Sequence, residues 1–302
     1  MNLVRSREKA LLRQISGFLW SNIRNKAVRE CKHYKEWFRL PMNYARIMEL
    51  PLTDIMLDLQ PQDRILDVSS PKMLAACYGM RQHGRLVAAD LEDYFENDFE
   101  IFNEQTHVSA ETKVFDATQG IPFEDGSFDK VYSVSVLEHI PDAGDKIAFD
   151  EILRVLAPGG TAVITLPVYK EYVEEWTATT PYWRTMTDKS GLNFFQRRYD
   201  LAALESRMDW NCGGELDYVL VAEKPVREPI LEEGGRLKHN SYLINKWKVP
   251  KLINKAGRLV RIVPFTGYMA ERFVSKRCHY LTKDWNDVNI RQIAFRIQKA
   301  KG

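Results

Sequence analysis

Residues 128–168 read FDKVYSVSVLEHIPDAGDKIAFDEILRVLAPGGTAVITLPV. Phe128–Ser133 is a short apolar run entered through the turn Glu124-Asp125-Gly126-Ser127, and it reads as a strand. Asp145–Leu156 follows as an amphipathic helix with Ile147, Ile152, Val155 and Leu156 as its apolar positions. Pro158-Gly159-Gly160 stops that helix, because neither residue type continues one. Thr161–Val168 is then a nearly continuous apolar strand. Strand, helix and strand in this order form a parallel crossover, and strands that are apolar on both faces need helices on both.

The same alternation extends outward. Upstream, Arg64–Ser69, Arg85–Leu91 and Thr112–Ala117 read as three further strands, with a helix over Pro71–Gln82. Downstream, Glu215–Glu223 reads as a sixth strand, and Asn289–Gln298 alternates apolar and polar residues as a closing antiparallel strand would. In a sheet of this kind a ligand lies beyond the carboxyl ends of the strands. Asp67, Asp90 and Asp116 stand at the ends of the first three strands and would face one crevice. A single Asp at such a junction is ordinarily a helix cap; three in succession point to a ligand.

Asp116-Ala117, Ile121-Pro122-Phe123, Ser127-Phe128-Asp129, Val136-Leu137-Glu138-His139 and Leu153 through Gly160 occur in order. With that order and spacing, the stretch of about residues 60–170, roughly a third of the chain, resembles a class I S-adenosylmethionine-dependent methyltransferase. It is most similar to the subgroup acting on small molecules, quinones and sugars. The resemblance implies an α/β fold: a Rossmann-like seven-stranded sheet, mostly parallel with an antiparallel last strand and helices on both faces. It implies S-adenosylmethionine as cofactor. Asp67 would lie beside its methionine portion. Asp90, followed by Leu91, would accept hydrogen bonds from both ribose hydroxyls, and Asp116 would accept from the adenine amino group with the Ala117 amide facing the ring. Ser133 would line the path of the methyl group, and His139 is the candidate general base. The alternative is that His139 only structures the loop, and no metal triad is evident.

One departure stands out. Where the family has a glycine-rich turn after the first strand, this chain has Ser69-Ser70-Pro71-Lys72. Glycine allows positive φ there, and a left-handed serine costs about 1–2 kcal/mol. Ser69 and Ser70 are candidates to bind the methionine carboxylate through their hydroxyls, with Lys72 pairing to it; the alternative is that they cap the following helix.

Composition is that of an ordinary folded protein, at 45% hydrophobic and 28% charged residues. No apolar run approaches the ~18 residues of a membrane-spanning helix. Met1–Trp20 is interrupted by Arg5, Arg7, Glu8, Lys9 and Arg13 and does not read as a signal peptide. The four cysteines are far apart, which fits a reducing cytoplasm. The net charge of +2 hides a segregation: 1–46 carry 11 Lys and Arg against 3 Asp and Glu, and 236–302 carry 16 against 3. The chain therefore divides into a basic helical N-terminal region (1–59), a methyltransferase-like core (60–223), a basic insertion (224–286) and a closing strand (287–302). Within the insertion, Val249, Leu252, Ile253, Ala256, Leu259, Val260 and Val263 form one helical face, opposed by Lys248, Lys251, Lys255, Arg258 and Arg261. Two readings of 245–277 stand: a lid on the core, or contact with an anionic membrane surface.

The expected function is methyl transfer to a small-molecule or membrane-associated acceptor such as a lipid, quinone or glycan, by a cytoplasmic protein, with a peripheral membrane location as the further option. The alternatives are an inactive methyltransferase-like scaffold, favoured by the altered turn, and RNA methylation. Nucleic acid is the weaker partner, because no catalytic Asn-Pro-Pro-Tyr-type motif is present.

Overall fold

The computed structural model describes residues 1–81, 84–178, 186–208, 214–224, 231–232, 236–237 and 265–301. The helix expected over 249–263 lies outside these residues. Four helices open the chain: α1 (Asn2–Ser21), α2 (Lys26–Glu30), α3 (Lys32–Arg39) and α4 (Arg46–Leu57). The alternation follows as β1 (Ile65–Val68), α5 (Met73–Met80), β2 (Leu86–Asp90), α6 (Glu96–Gln105), β3 (Glu111–Val114), β4 (Phe128–Val134), α7 (Gly144–Val155) and β5 (Leu156–Pro167). A ribbon of β6 (Val173–Thr177) and β7 (Asn193–Arg198) precedes α8 (Leu201–Arg207) and β8 (Glu215–Glu223). After the two-residue strands β9 (Leu231–Glu232) and β10 (Arg236–Leu237) come α9 (Thr266–Cys278), β11 (His279–Thr282) and β12 (Ile290–Gln298).

The main sheet has the order β11-β8-β12-β5-β4-β1-β2-β3. Strands β1 to β5 are mutually parallel, and β12 runs antiparallel between β5 and β8. This is the expected mostly parallel sheet with an antiparallel last strand, but it has eight strands rather than seven. The extra strand is β11, which leaves α9 and pairs antiparallel along β8 from His279 opposite Glu223 to Thr282 opposite Leu220. The order reverses at β1, which lies between β2 and β4, so the switch point falls where Asp67 ends its strand.

Alternation of side chains sorts the core into two layers. Ile65, Leu86, Ala88, Tyr132 and Val163 pack with α1, α3, α4, α5 and α6. Leu66, Val87, Val131, Ala162 and Ile164 pack with α7 and α8 on the opposite face. Helix α1 buries Leu11, Ile15, Phe18 and Leu19, one stripe at helical spacing. Among the described residues, no helix is long and apolar enough to cross a membrane.

Pro158-Gly159-Gly160 does more than end a helix. Helix α7 stops at Val155 and β5 begins at Leu156, so these residues lie inside the strand. The β4–β5 register shifts there, from Phe128 opposite Leu156 to Lys130 opposite Thr161. Gly159 sits at φ +75°, and a Cβ on Gly160 would lie 2.8 Å from the Ala157 carbonyl oxygen and 3.0 Å from that of Asp129. Both neighbours are backbone and yield little. Gly160→Ala is therefore expected to cost about 1–3 kcal/mol, read as a lowered midpoint in denaturant titration; an unchanged midpoint would mean the bulge relaxes freely.

Candidate active site

The carboxyl end of β1 is built around buried ions. Asp67 is fully buried; its Oδ1 accepts from the Ser70 amide at 2.9 Å and its Oδ2 from Lys72 Nζ at 3.2 Å. Burial pushes its pKa up to about 6, against the opposing pull of Lys72. The turn that follows takes the left-handed form: Ser69 has φ +56°, as a glycine would have had. Ser70 turns its hydroxyl inward to accept from the Val134 amide at 2.9 Å. Ser133, fully buried on β4, donates to the Val68 carbonyl at 3.2 Å. Both hydroxyls stitch β1 to β4.

Lys72 is the residue whose placement the sequence concealed. Its side chain is fully buried, and its ammonium donates to the carbonyls of Ser70 (2.9 Å) and Ala89 (2.8 Å) as well as to Asp67. It also pairs with Asp90 Oδ2 at 3.1 Å and lies 4.8 Å from the centre of the Phe95 ring. It points to the ends of β1 and β2, and Asp67 and Asp90 are brought together through it.

Asp90 ends β2 with its side chain 13% exposed. Its Oδ1 accepts from the Leu91 amide at 2.8 Å and its Oδ2 from the Tyr94 hydroxyl at 3.1 Å. The Phe115 amide donates to the Asp90 carbonyl at 3.0 Å, which sets the loop after β3 beside β2. On that loop Asp116 Oδ1 accepts from the Thr118 amide (2.9 Å) and hydroxyl (2.7 Å), and Ala117 is half-buried.

The end of β4 forms a second cluster. His139 lies on a 3-10 turn, Leu137–His139. Its Nδ1 is 2.7 Å from the Phe195 carbonyl oxygen of β7. A carbonyl only accepts, so Nδ1 carries the proton and Nε2 is the acceptor nitrogen. Burial drives the imidazole pKa down to about 4, so the ring is neutral near pH 7. Glu138 beside it is fully buried, with Oε1 accepting from the Ser135 hydroxyl at 2.6 Å and lying 3.6 Å from His139 Nε2. Its Oε2 has no hydrogen-bond partner. Burial pushes this carboxyl up to about 8. The first turn of α4 faces the cluster: Glu49 pairs with Arg46 and accepts from Gln292 Nε2 at 2.7 Å. The β6–β7 ribbon that carries Phe195 is anchored by Arg197, fully buried, which donates to the Ile140 carbonyl (2.5 Å) and pairs with Asp145 (3.2 Å). Sequence reading named His139 but missed Glu138 and the facing Arg46–Glu49 pair. Their signal is tertiary, since α4 lies some ninety residues away along the chain.

The family model described as "methyltransferase domain" matches residues 66–164. That stretch, from β1 into β5, is thus similar to a methyltransferase domain, and it holds the reversal of strand order at β1. Among curated relatives, phosphoethanolamine N-methyltransferase 2 of Caenorhabditis elegans is 29% identical over 195 residues, covering 61% of this chain and 39% of the relative. Demethylmenaquinone methyltransferase of Staphylococcus haemolyticus is 35% identical over 96 residues, 30% of this chain and 38% of its own length. The chain thus spans less than half the length of these relatives. Phosphoethanolamine N-methyltransferase 2 of Haemonchus contortus, solved in complex with S-adenosyl-L-methionine, superimposes with a TM-score of 0.50 at 16% identity, covering 94% of this chain and 60% of that one. At that identity the likeness concerns the fold alone.

The Glu138 geometry has a measurable consequence. The carboxyl moves from its ordinary value of 4.5 unfolded to about 8 folded, so the folded state holds the extra proton between those values. Its stabilising contribution is complete below about pH 4.5 and is lost as pH rises through 8. Glu138→Gln keeps a neutral side chain of the same shape and removes that loss. Between pH 5 and 8.5 the wild type is expected to lose on the order of a few kcal/mol more than E138Q, by denaturant midpoints at the two pH values. Equal losses would mean that Glu138 is already ionised in the folded protein.

Proposed function

We propose that the chain is an S-adenosylmethionine-dependent methyltransferase acting on a small-molecule acceptor. The observation that carries this reading is Asp90: at the end of β2 it already accepts a hydroxyl, that of Tyr94, at 3.1 Å. The acceptor therefore suits a ribose hydroxyl, and the fit extends to Asp67 and to Asp116-Ala117 near the neighbouring strand ends. In this reading Asp67 lies beside the methionine portion, with Ser69 and Ser70 shaping the turn around it. Asp90 and Leu91 hold the ribose, Asp116 and Ala117 the adenine, and Ser133 fixes the β4 end from which transfer occurs. S-adenosylmethionine supplies a methyl carbon on a sulfonium, to which an acceptor lone pair bonds as the carbon–sulfur bond breaks.

The protein's contribution is alignment and proton removal. Holding acceptor and methyl group in line accounts for much of the acceleration. His139 Nε2 takes the acceptor's proton, with Nδ1 held by the Phe195 carbonyl so that the ring cannot turn. The relatives named above act, by their names, on phosphoethanolamine and demethylmenaquinone, and this supports an acceptor of that size, free or membrane-associated. The basic segments 1–46 and 236–302 support placing the protein at an anionic membrane surface. Lys251, Lys255 and Arg258→Glu should abolish sedimentation with anionic liposomes while sparing cofactor binding; sedimentation that is unchanged, or absent already in the wild type, would remove the membrane from this reading.

A second reading, a scaffold that no longer binds the cofactor, is favoured by one observation: Lys72 on Asp90. Calorimetric titration with S-adenosylhomocysteine separates the two, since only the first predicts binding. Asp90→Ala should weaken that binding by about 1.5–3 kcal/mol, the worth of hydrogen bonds to a charged group. His139→Ala should leave it intact while lowering turnover about 10²-fold or more. A wild type that does not bind sinks the enzymatic reading.

A further inference from the structure

Resting on the methyltransferase reading, we infer that the ribose site of this domain is self-occupied: the Tyr94 hydroxyl holds the place of a ribose hydroxyl on Asp90, and ligand binding is an exchange in which Tyr94 leaves while Lys72 stays. A carboxylate offers about four lone-pair positions, two on each oxygen. On Asp90, Oδ1 accepts from the Leu91 amide at 2.8 Å. Oδ2 accepts from the Tyr94 hydroxyl at 3.1 Å, and Lys72 Nζ, also 3.1 Å away, sits against it as an ion pair without donating to it. A vicinal diol taken across the two oxygens must reach Oδ2, and with the ammonium packed against that oxygen the position to be exchanged is the one the Tyr94 hydroxyl holds.

The two groups on Oδ2 differ in their freedom to depart. Lys72 is fully buried; once away from its partners its ammonium would stand unsolvated, which is costly. Yet it has only three hydrogens, and Asp67 Oδ2, the Ser70 carbonyl and the Ala89 carbonyl take all three within 3.2 Å. It can release Asp90 without moving and without losing a hydrogen bond. Tyr94 is 40% exposed, so its hydroxyl passes to water at small cost. Its ring lies beside His33 at 5.7 Å between centroids and 4.7 Å from Lys32 Nζ. Both belong to α3, and because the phenol oxygen is fixed to the ring, the ring tilts on this face as the hydroxyl leaves Asp90. Phe95, next in the chain, is fully buried against the Lys72 ammonium and pins the backbone of this short segment.

The exchange predicts that removing the hydroxyl helps the ligand. Tyr94→Phe should bind S-adenosylhomocysteine about 3- to 10-fold more tightly than the wild type, the fold-change of one ordinary hydrogen bond no longer broken. Adenosine, which shares the ribose but lacks the amino-acid portion, should gain by the same factor. In an Asp90→Asn background the gain from Tyr94→Phe should shrink towards unity, because the amide holds the hydroxyl less strongly. Tyr94 is at the surface and the substitution keeps the ring, so all four proteins are expected to fold; melting curves without ligand verify this. A Tyr94→Phe protein that binds no more tightly than the wild type overturns the exchange and leaves the methyltransferase reading standing. A gain that persists undiminished in the Asp90→Asn background also overturns it, since the hydroxyl would then act elsewhere. Absence of binding to both wild type and Tyr94→Phe overturns the methyltransferase reading itself, and the exchange with it.

Discussion

The buried ammonium of Lys72 is the point on which the crevice depends. Turns that bring a ligand close to a strand end ordinarily use glycine, because glycine enters the left-handed region freely and has no Cβ to obstruct approach. Here Ser69 takes φ +56° at a cost of about 1–2 kcal/mol. The surrounding bonds hold it there. The Ser70 amide and hydroxyl reach Asp67 and Val134, and Lys72 folds back beneath the turn onto Asp67, Asp90 and two carbonyls. Taking away Lys72 would leave two carboxylates facing each other across the ends of β1 and β2. The turn and the charge that stabilises it are one device, and a glycine-rich loop has no need of it.

The segregated charge of the chain is in part spent internally. Arg7 and Arg81 share the buried Asp54, Arg272 and Arg5 converge on the buried Glu8, and Arg46 pairs with the buried Glu49. In each case a basic side chain from the flanking helices, or one from the core, meets a carboxylate that would otherwise be stranded in the interior. These pairs fix α1 against α4 and α9 and seat α4 across the ends of the central strands. Removing one partner leaves a buried charge uncompensated, so the basic N-terminal region is part of the folded body. Only the remainder of its charge is available to an outside partner.

What the sequence made legible follows from where its information is local. Strands buried on both faces announce themselves as apolar runs, so β1, β2, β4, β5, β8 and β12 stood out, and the antiparallel closing strand was readable from its alternation. Strand β11 was not, because His279–Thr282 is four residues long and half-buried at a sheet edge. Strand β3 is mostly exposed and ends at Val114 rather than at Ala117, since its residues have no second layer to fill. Pro158-Gly159-Gly160 was read as a stop, while its use as a bulge depends on the partner strand. The Asp residues at the strand ends were visible as residues, but their partners were not. No spacing rule turns Lys72 inward, and none brings Glu49 or Phe195 to the β4 turn.

The two halves of the crevice manage burial in opposite ways, and this bears on which chemistry each can support. At β1 and β2 the two carboxylates are paired with a lysine that belongs to the protein. At β4 both ionisable groups are held neutral: Glu138 because its carboxyl titrates near 8, His139 because its imidazole titrates near 4. A neutral pair costs less to bury than an ion pair lacking its full set of hydrogen bonds. It also leaves His139 unprotonated across the whole physiological range, so its capacity to accept a proton does not change around pH 6.5 as an exposed histidine's would. The price is basicity, for an imidazole of pKa about 4 holds a proton weakly. Such a group serves an acceptor that sheds its proton as the new bond forms, and it returns the proton readily once that bond is made. Glu138, protonated below its raised pKa, adds no negative charge to draw the proton back. The two strand ends thus differ in how burial is met: ion pairs through Lys72 at β1 and β2, and a neutral carboxyl and imidazole at β4.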